Sequence, residues 1–378
     1  MVTLKKGILA LESGKVFTGY SFGAEGEREG EIVFNTSLSG YQEILTDPSY
    51  CGQIICMTCP HIGNYGINPE DMESTLPACS GLVVREASAV VSNWRAQNSI
   101  QEFLSQHSIV AIEGIDTRAL TKHIRDGGAM RAIISTINLN PAKLVEKAKR
   151  SLGLEGRDLV KEVGCRKRYI FDSGRKTSTL YKVAVLDCGC KTNILRELSR
   201  HNCEVYVFPA NALAQEILDI NPDGIMLSNG PGDPAAVSYV IATVKQLIAA
   251  IENGSTRAAL FGICLGHQML GLALGGETYK LKFGHRGGNH PVKDVTTGKI
   301  EITSQNHGFC VRPESLPNKN IELTHYNLYD GTLEGLRHKS LPIFSVQYHP
   351  EACPGPHDAA YLFHRFMSMM KAKETPKK

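Results

Sequence analysis

The fold is decided by one stretch, Arg257-Ala-Ala-Leu-Phe-Gly-Ile-Cys264-Leu-Gly-His-Gln-Met-Leu270. Residues 258–261 have the length and apolar composition of a buried strand. After Cys264, apolar residues recur at helical spacing. The stretch therefore predicts a strand that turns sharply into a helix, with Cys264 at the turn.

The residues around the turn, Gly262-Ile-Cys264-Leu-Gly266, match the pattern Gly-x-nucleophile-x-Gly. Flanking glycines are expected to let the backbone pass through strained angles, so that the central side chain projects from the tip. The unpaired N–H groups and the dipole at the start of the following helix favour a thiolate. The pattern thus indicates an exposed, ionised cysteine nucleophile. The alternative is a buried cysteine that only fills space in the core, because such a residue can have the same local sequence.

A second candidate stretch, Ser345-Val-Gln-Tyr-His349-Pro-Glu351, lies near the end of the chain. Here a strand runs into a histidine and a carboxylate that proline holds two residues apart. A cysteine nucleophile needs a base, and the base needs a partner that orients it. His349 and Glu351 can supply these roles. Considered alone, His349 could instead be a structural histidine, and Glu351 could be an ordinary solvated carboxylate.

Further stretches carry a resemblance that covers nearly the whole chain, from about Leu9 to the last helix. They are Phe34–Tyr50, Leu227–Pro234, Lys282–Pro291 and Thr303–Phe309. With the Cys264 and His349 stretches they resemble the class I glutamine amidotransferases. In particular, they are similar to the glutamine-hydrolysing small-subunit family of carbamoyl phosphate synthetase.

The resemblance implies a catalytic triad of Cys264, His349 and Glu351 and a set of residues that bind L-glutamine. The implied binding residues are Ser49, Gly230, Gly232, Leu265, Gln268, Asn306, Gly308 and Phe309. The residues themselves support part of this set, because the Leu265 N–H and the Gly230-Pro-Gly232 backbone could stabilise an oxyanion. A plain Gly-Pro turn is the alternative for Gly230–Gly232. For Ser49, the sequence by itself shows only a good turn. Cys353 departs from the serine expected at its position, and its role stays open.

Length and composition predict two domains in an ordinary globular protein. The chain has 378 residues, 42% of them hydrophobic and 21% charged, and its net charge is +3. Neither nucleic-acid binding nor membrane attachment is indicated. The apolar N-terminal run is too short for a signal peptide, so a cytoplasmic location is expected. The 11 cysteines are irregularly spaced, which argues against a disulfide framework, and no metal site is predicted.

The chain is predicted to be organised as an α/β protein with four segments. Residues 1–150 form a β-rich α+β domain, and residues 151–180 form a polar linker. Residues 181–372 alternate strands and helices, which predicts a doubly wound, mixed or parallel sheet in an amidotransferase domain. Residues 373–378 are expected to be a disordered tail. The stretch 284–291 reads as a long loop and is given no role.

By resemblance, ammonia released at Cys264 passes through an internal tunnel into a separate large subunit. That subunit uses ATP and Mg²⁺ to make carbamoyl phosphate from bicarbonate, for pyrimidine and arginine synthesis. This chain would need no cofactor, and its N-terminal domain would dock the large subunit in a heterodimer or higher oligomer. Two alternatives are an amidotransferase subunit for another acceptor and a partner-binding protein with an inactive glutaminase fold. The regulation of the pathway, the stoichiometry and the activity of the isolated subunit stay open.

Overall fold

The computed structural model describes residues 5–174, 179–316 and 319–371. The chain divides into two compact units, Met1–Arg157 with Lys282–Gly287, and Asp158–Leu281 with Gly288–Lys378. The predicted tail, residues 373–378, lies outside the described residues. Among those described, no helix combines the length and apolar character needed to cross a bilayer.

The first unit is rich in strands, as the sequence predicts. Its strands are β1 (Lys6–Leu11), β2 (Val16–Ser21), β3 (Glu27–Asn35), β4 (Gln53–Met57), β5 (His61–Ile62), β6 (Gly81–Val83), β7 (Glu86–Ala87), β8 (Val110–Glu113) and β9 (Met130–Ser135). Its helices are α1 (Tyr41–Thr46), α2 (Ile100–Gln106), α3 (Thr117–Gly127) and α4 (Pro141–Arg150), with 3-10 turns at Pro48–Tyr50 and Pro69–Asp71.

Seven of these strands close into a barrel in the order β1-β2-β8-β6-β4-β3-β9. The run β3-β4-β6-β8 is parallel, and the other pairs are antiparallel. Leu9, Ile32, Ile54 and Ile112 belong to one apolar cluster of the barrel, and each is fully buried. The sequence predicts that this unit is rich in short strands but does not predict the closure of the barrel, because closure depends on pairings between residues far apart in the chain.

The second unit contains the alternating elements and the C-terminal strands. The elements are α5 (Val160–Val163), β10 (Tyr169–Ile170), β11 (Tyr181–Asp187), α6 (Thr192–Arg200), β12 (Cys203–Pro209), α7 (Ala214–Leu218), β13 (Gly224–Leu227), α8 (Ser238–Glu252), β14 (Ala259–Ile263), α9 (Leu265–Ala273), β15 (Thr278–Asp294), β16 (Ile300–Val311), β17 (Ile321–Asn327), β18 (Leu333–His338), β19 (Ile343–Val346) and α10 (Tyr361–Lys371). Two 3-10 turns lie at Pro234–Ala236 and Pro313–Ser315. The middle of β15, Lys282–Gly287, groups with the first unit.

One sheet runs through this unit in the order β10-β12-β11-β13-β14-β19-β18-β17-β15-β16. Its centre, from β12 to β19, is parallel. One apolar cluster includes residues of α7, α8 and α9, and a second cluster includes residues of α6 and α10. The predicted α/β class with a doubly wound mixed sheet is therefore confirmed. The carboxyl ends of the parallel strands, where such sheets bind ligands, meet at one edge.

The structure contains regular elements in two segments that the sequence analysis expected to be a linker and a loop. The expected linker, residues 151–180, includes α5 and also β10, which pairs with β12 as an edge strand. The expected loop at 284–291 lies inside β15, with His285 and Arg286 buried. In both places polar and glycine-rich composition concealed an element, because its stability comes from neighbouring strands rather than from local propensity.

Candidate active site

Cys264 occupies the turn between β14 and α9. Its φ is 54° and its ψ is −103°, a backbone conformation that is costly for a residue with a side chain. Hydrogen bonds on both sides hold the turn, since the Cys264 N–H donates to Val346 O at 2.9 Å and the Gln268 N–H donates to Cys264 O at 3.1 Å. Cys264 is only 2% exposed, so the expectation of an exposed nucleophile is wrong. The side chain projects from the turn, but into a buried site.

The two glycines of the elbow are required by close packing. A Cβ on Gly266 would lie 2.2 Å from the Leu227 carbonyl oxygen, and a Cβ on Gly262 would lie 2.7 Å from the Gly266 carbonyl oxygen. The Gly266 N–H donates to Ser228 O at 3.0 Å, which holds the start of α9 against the end of β13. The residue with positive φ is Cys264 itself. The glycine pattern is therefore explained by backbone approach and not by strain at the glycines.

His349 and Glu351 lie just beyond the end of β19 and are both 2% exposed. His349 Nδ1 and Glu351 Oε1 are 2.7 Å apart, which fixes the orientation of the ring. The His349 N–H donates to Ser304 O at 2.9 Å, so β16 holds the histidine backbone. His349 Nε2 is buried away from solvent, and a hydrogen bond with the Cys264 side chain is among the causes that raise the pKa of His349. This buried ring nitrogen is available for proton transfer.

Lys191 is a buried member of the site that the sequence interpretation missed. Its Nζ donates to Glu351 Oε1 at 2.9 Å and also donates to the Ala352 carbonyl oxygen. The side chains of Lys191 and Glu351 are 3% and 0% exposed. Asn193 Nδ2 donates to Glu351 O at 2.6 Å. The available signal was a lysine shortly after the end of β11, but nothing in its sequence context shows burial.

In this cluster, the interactions between neighbouring groups shift the pKa values of Glu351 and His349 toward their charged forms. Burial raises the pKa of Glu351, but the adjacent Lys191 ammonium and His349 lower it by more, so the pKa of this carboxyl lies below its ordinary value. Burial lowers the pKa of His349, but the interactions of the ring with Glu351 and Cys264 outweigh burial and raise it. The cluster therefore favours a carboxylate at Glu351 and an imidazolium at His349.

The predicted glutamine-binding residues of α9 and β16 are close to the cysteine. Cys264 Sγ lies 3.6 Å from the Asn306 carbonyl oxygen. Gln268 Nε2 donates to Phe309 O at 2.7 Å, which joins α9 to β16, and Gly308 lies between Asn306 and Phe309 on that strand. Leu265 is the first residue of α9, where the N–H group has no acceptor within the helix.

Gly230 and Gly232 lie in the segment that follows β13. A Cβ on Gly230 would lie 2.1 Å from the Cys188 carbonyl oxygen and 2.7 Å from Leu265 Cδ2, so only glycine fits beside the elbow. Gly232 has a φ of 87°, which glycine adopts at little cost. The structure thus brings Gly230 next to the Leu265 side chain, and a shared oxyanion site formed by their backbones stays a prediction. Cys188 itself is buried in the apolar core of this unit.

Ser49 belongs to the first unit, where it lies in the 3-10 turn Pro48–Tyr50 and is 3% exposed. Its N–H donates to Asp47 Oδ1 at 2.8 Å, and its carbonyl oxygen accepts from Gln53 Nε2 at 3.0 Å. The turn predicted from Asp47-Pro-Ser49 is therefore present and well anchored. The contact of Ser49 with glutamine stays a prediction.

Comparison with known proteins shows which families the two parts of the chain are similar to. Residues 184–369 match the family model described as class-I glutamine amidotransferase. Residues 9–134 match a second model, the CPSase domain of the carbamoyl-phosphate synthase small chain. The second unit is therefore a class I glutamine amidotransferase domain.

Relatives of known name extend this class to the full chain. A protein named carbamoyl phosphate synthase small chain from Syntrophotalea carbinolica is 56% identical, and the match covers 97% of this chain and 98% of that protein. Proteins of the same name from Aquifex aeolicus and Chlorobaculum tepidum are 53% and 54% identical, over 97% and 96% of this chain and 99% and 97% of theirs. The chain belongs to the family of carbamoyl phosphate synthase small chains, and it is an enzyme of the amidotransferase class. The resemblance inferred from the sequence is thereby confirmed.

Proposed function

We propose that this chain hydrolyses L-glutamine at Cys264 and delivers the ammonia to a large subunit that makes carbamoyl phosphate from bicarbonate and ATP. The observation that carries the proposal is the buried chain of charged groups beside the strained cysteine: His349 Nδ1 to Glu351 Oε1 at 2.7 Å and Glu351 Oε1 to Lys191 Nζ at 2.9 Å. Such a chain fixes and charges an imidazole next to a nucleophile, as covalent catalysis requires.

In the first half-reaction, the Cys264 thiolate attacks the side-chain carbonyl carbon of glutamine. The C–S bond forms as the carbonyl π electrons move to oxygen, and the resulting oxyanion needs N–H donors already aimed at it. The Leu265 N–H and the backbone at Gly230 are the proposed donors. The tetrahedral intermediate then breaks its C–N bond, and His349 donates a proton from Nε2 to the departing ammonia.

In the second half-reaction, water hydrolyses the glutamyl thioester. Neutral His349 now accepts a proton from the water at Nε2, the C–S bond breaks, and glutamate leaves. Glu351 holds the ring in one orientation throughout and stabilises its charged form. Burial of the site protects the thioester from uncontrolled attack and confines the released ammonia.

The family of the chain supports the acceptor side of the proposal, since the named relatives are small chains of carbamoyl phosphate synthase. A small chain implies a large one, and we propose that the first unit docks it. ATP and Mg²⁺ are then used by the large subunit, and the product serves pyrimidine and arginine synthesis. A cytoplasmic location belongs to this proposal.

The test compares carbamoyl phosphate formation from glutamine with carbamoyl phosphate formation from added ammonia. In a complex reconstituted with the large subunit, Cys264→Ser should reduce glutamine-dependent carbamoyl phosphate formation by at least about 10³-fold. The ammonia-dependent rate should stay within twofold of wild type, because only the source of ammonia is lost. Cys203→Ser is the matched control, since Cys203 is also buried in the second unit but lies on β12. Equal loss of both activities in Cys264→Ser would overturn the delivery role.

A further inference from the structure

Two cysteines of the first unit face each other across a β-bridge. Cys51 follows the 3-10 turn Pro48–Tyr50, and Cys79 precedes β6; the two residues are paired in an isolated antiparallel bridge. The Cα atoms of such a pair lie about 4.5–5.5 Å apart, within the range of about 4.4–6.8 Å that a disulfide spans. We propose that Cys51 and Cys79 are a thiol–disulfide pair, a modification site oxidised by low-molecular-weight disulfides.

The effect of Cys51 on the pKa of Cys79 also indicates that the two sulfur atoms are close to each other. Burial raises the pKa of Cys79 to about 12, and a charge on Cys51 raises it further. Residues that face each other in an antiparallel bridge also direct their side chains to the same side of the ladder. Both thiols are reduced in this structure. The pairing therefore meets the Cα condition for a disulfide and places both side chains on one side of the ladder.

Access to the pair depends on the segment that carries Cys79. Cys51 and Cys79 are 6% and 9% exposed, and the raised pKa of Cys79 leaves little thiolate at neutral pH, so reaction in the closed state is slow. Between the 3-10 turn Pro69–Asp71 and β6, however, the segment has no helix or strand, and Leu76 within it is 66% exposed. The Glu73 N–H and the Ser74 hydroxyl anchor the start of this segment to Thr46. In the proposal, local opening beyond these anchors exposes the thiol without unfolding the barrel.

The reaction with oxidised glutathione balances without any other reactant. The thiolate of one cysteine attacks a glutathione sulfur, forms a mixed disulfide and releases one glutathione thiolate, which takes up a proton. The second thiolate attacks the protein sulfur of the mixed disulfide, forms the Cys51–Cys79 bond and releases a second glutathione. The two protein thiols lose two electrons and two protons in total, and one glutathione disulfide becomes two thiols.

The disulfide would restrain the turn that presents Ser49, two residues before Cys51. This turn is held by the Asp47 side chain on one side and by Gln53 on the other. A link from Cys51 to Cys79 adds a covalent restraint in the observed arrangement. Its effect on glutamine use rests on the proposed function and on the contact of Ser49 with glutamine that the family resemblance predicts; formation of the disulfide does not.

The disulfide itself is tested on the full chain by mass spectrometry. The protein is equilibrated with oxidised glutathione, its remaining thiols are alkylated, and it is digested without reduction by a glutamate-specific protease. Cleavage at glutamates 43, 70, 73 and 86 separates Cys51 from Cys79, and a cross-link between the peptides 44–70 and 74–86 is expected. The cross-link should disappear in Cys51→Ser and persist in Cys56→Ser, a buried control on β4. No cross-link, or one that survives Cys51→Ser, would overturn the pair.

Stability and kinetics then test the restraint. The unfolding midpoint of the oxidised protein should rise by about 5 °C or more over the reduced protein, and this difference should vanish in Cys79→Ser. In the reconstituted complex, oxidation should lower the KM for glutamine at least twofold with kcat unchanged, because the turn is held in place before substrate binds. An unchanged midpoint would overturn the restraint. An unchanged KM, with the cross-link present and glutamine hydrolysis intact, would overturn the link to glutamine.

Discussion

The buried ammonium of Lys191 offers the sharpest test of how the site is held together. In Lys191→Met, a side chain of similar length replaces the charge, and the buried Glu351 carboxylate keeps only His349 as a cationic partner. Removing one member of a buried ion pair costs about 3–5 kcal/mol when the remaining charge is left uncompensated. This range is an upper bound here, because His349 Nδ1 stays 2.7 Å from Glu351 Oε1. The pair is only 3% and 0% exposed, so solvent does little to reduce this cost. Since domains are stable by about 5–15 kcal/mol, the loss should be large and measurable.

Two measurements are made on each variant: the free energy of unfolding of the full chain in urea, and the rate of glutamine hydrolysis in the reconstituted complex. The matched control is Lys182→Met, because Lys182 lies on β11 in the same unit but is exposed. The control should change the free energy of unfolding by less than about 0.5 kcal/mol. In Lys191→Met, kcat/KM for glutamine should also fall, since Glu351 no longer carries a stable charge with which to orient His349.

The dependence on pH has a definite sign. The pKa of Glu351 is lowered in the folded protein, so this group stabilises the fold at pH values above its unfolded pKa, and that stabilisation is lost as the pH falls through the folded pKa. Lys191 is the largest favourable cause of the shift, and burial alone would raise the pKa. Lys191→Met should therefore lose stability and activity at a higher pH than wild type on acidification. If Lys191→Met matched Lys182→Met in stability, activity and pH dependence, this account of the site would be refuted.

Three further expectations follow from the site. Gly266→Ala would place a Cβ 2.2 Å from the Leu227 carbonyl oxygen, so the unfolding midpoint and glutamine hydrolysis should both fall; a wild-type midpoint would contradict the packing argument. In the double variant Cys264→Ala, Glu351→Gln, the two charges that raise the pKa of His349 are removed and burial remains, so the imidazole should titrate below about 6.5 by NMR; titration above that value would contradict the assignment of causes. The chain alone should hydrolyse glutamine slowly and accelerate when the large subunit is added; equal rates would favour a free-standing amidase.

Local patterns revealed the parts of the site that local geometry builds. Gly262-Ile-Cys264-Leu-Gly266 predicts the strand–turn–helix because the turn forms within a few residues, and β14 and α9 flank Cys264 as expected. The pattern does not show that Cys264 is buried, because β16 and the segment after β19 come from later in the chain. Alternating strands and helices likewise predict the doubly wound sheet, since the period of apolar residues is a local property.

Only the tertiary structure placed Lys191 beside Glu351, 160 residues later in the chain. From sequence, a lysine is predicted to be solvent-exposed, because lysine is almost never fully buried without a partner of opposite charge. The spacing of residues along the chain does not show which carboxylate, if any, is that partner. The same reason explains β10, the middle of β15 and the closed barrel, whose hydrogen bonds join distant segments. The sequence by itself determined the strand–turn–helix around Cys264, the alternation of strands and helices in the second unit, and the candidate nucleophile and base. Tertiary packing decided which elements pair and which charges are buried together, because those energies depend on neighbours that chain order does not specify.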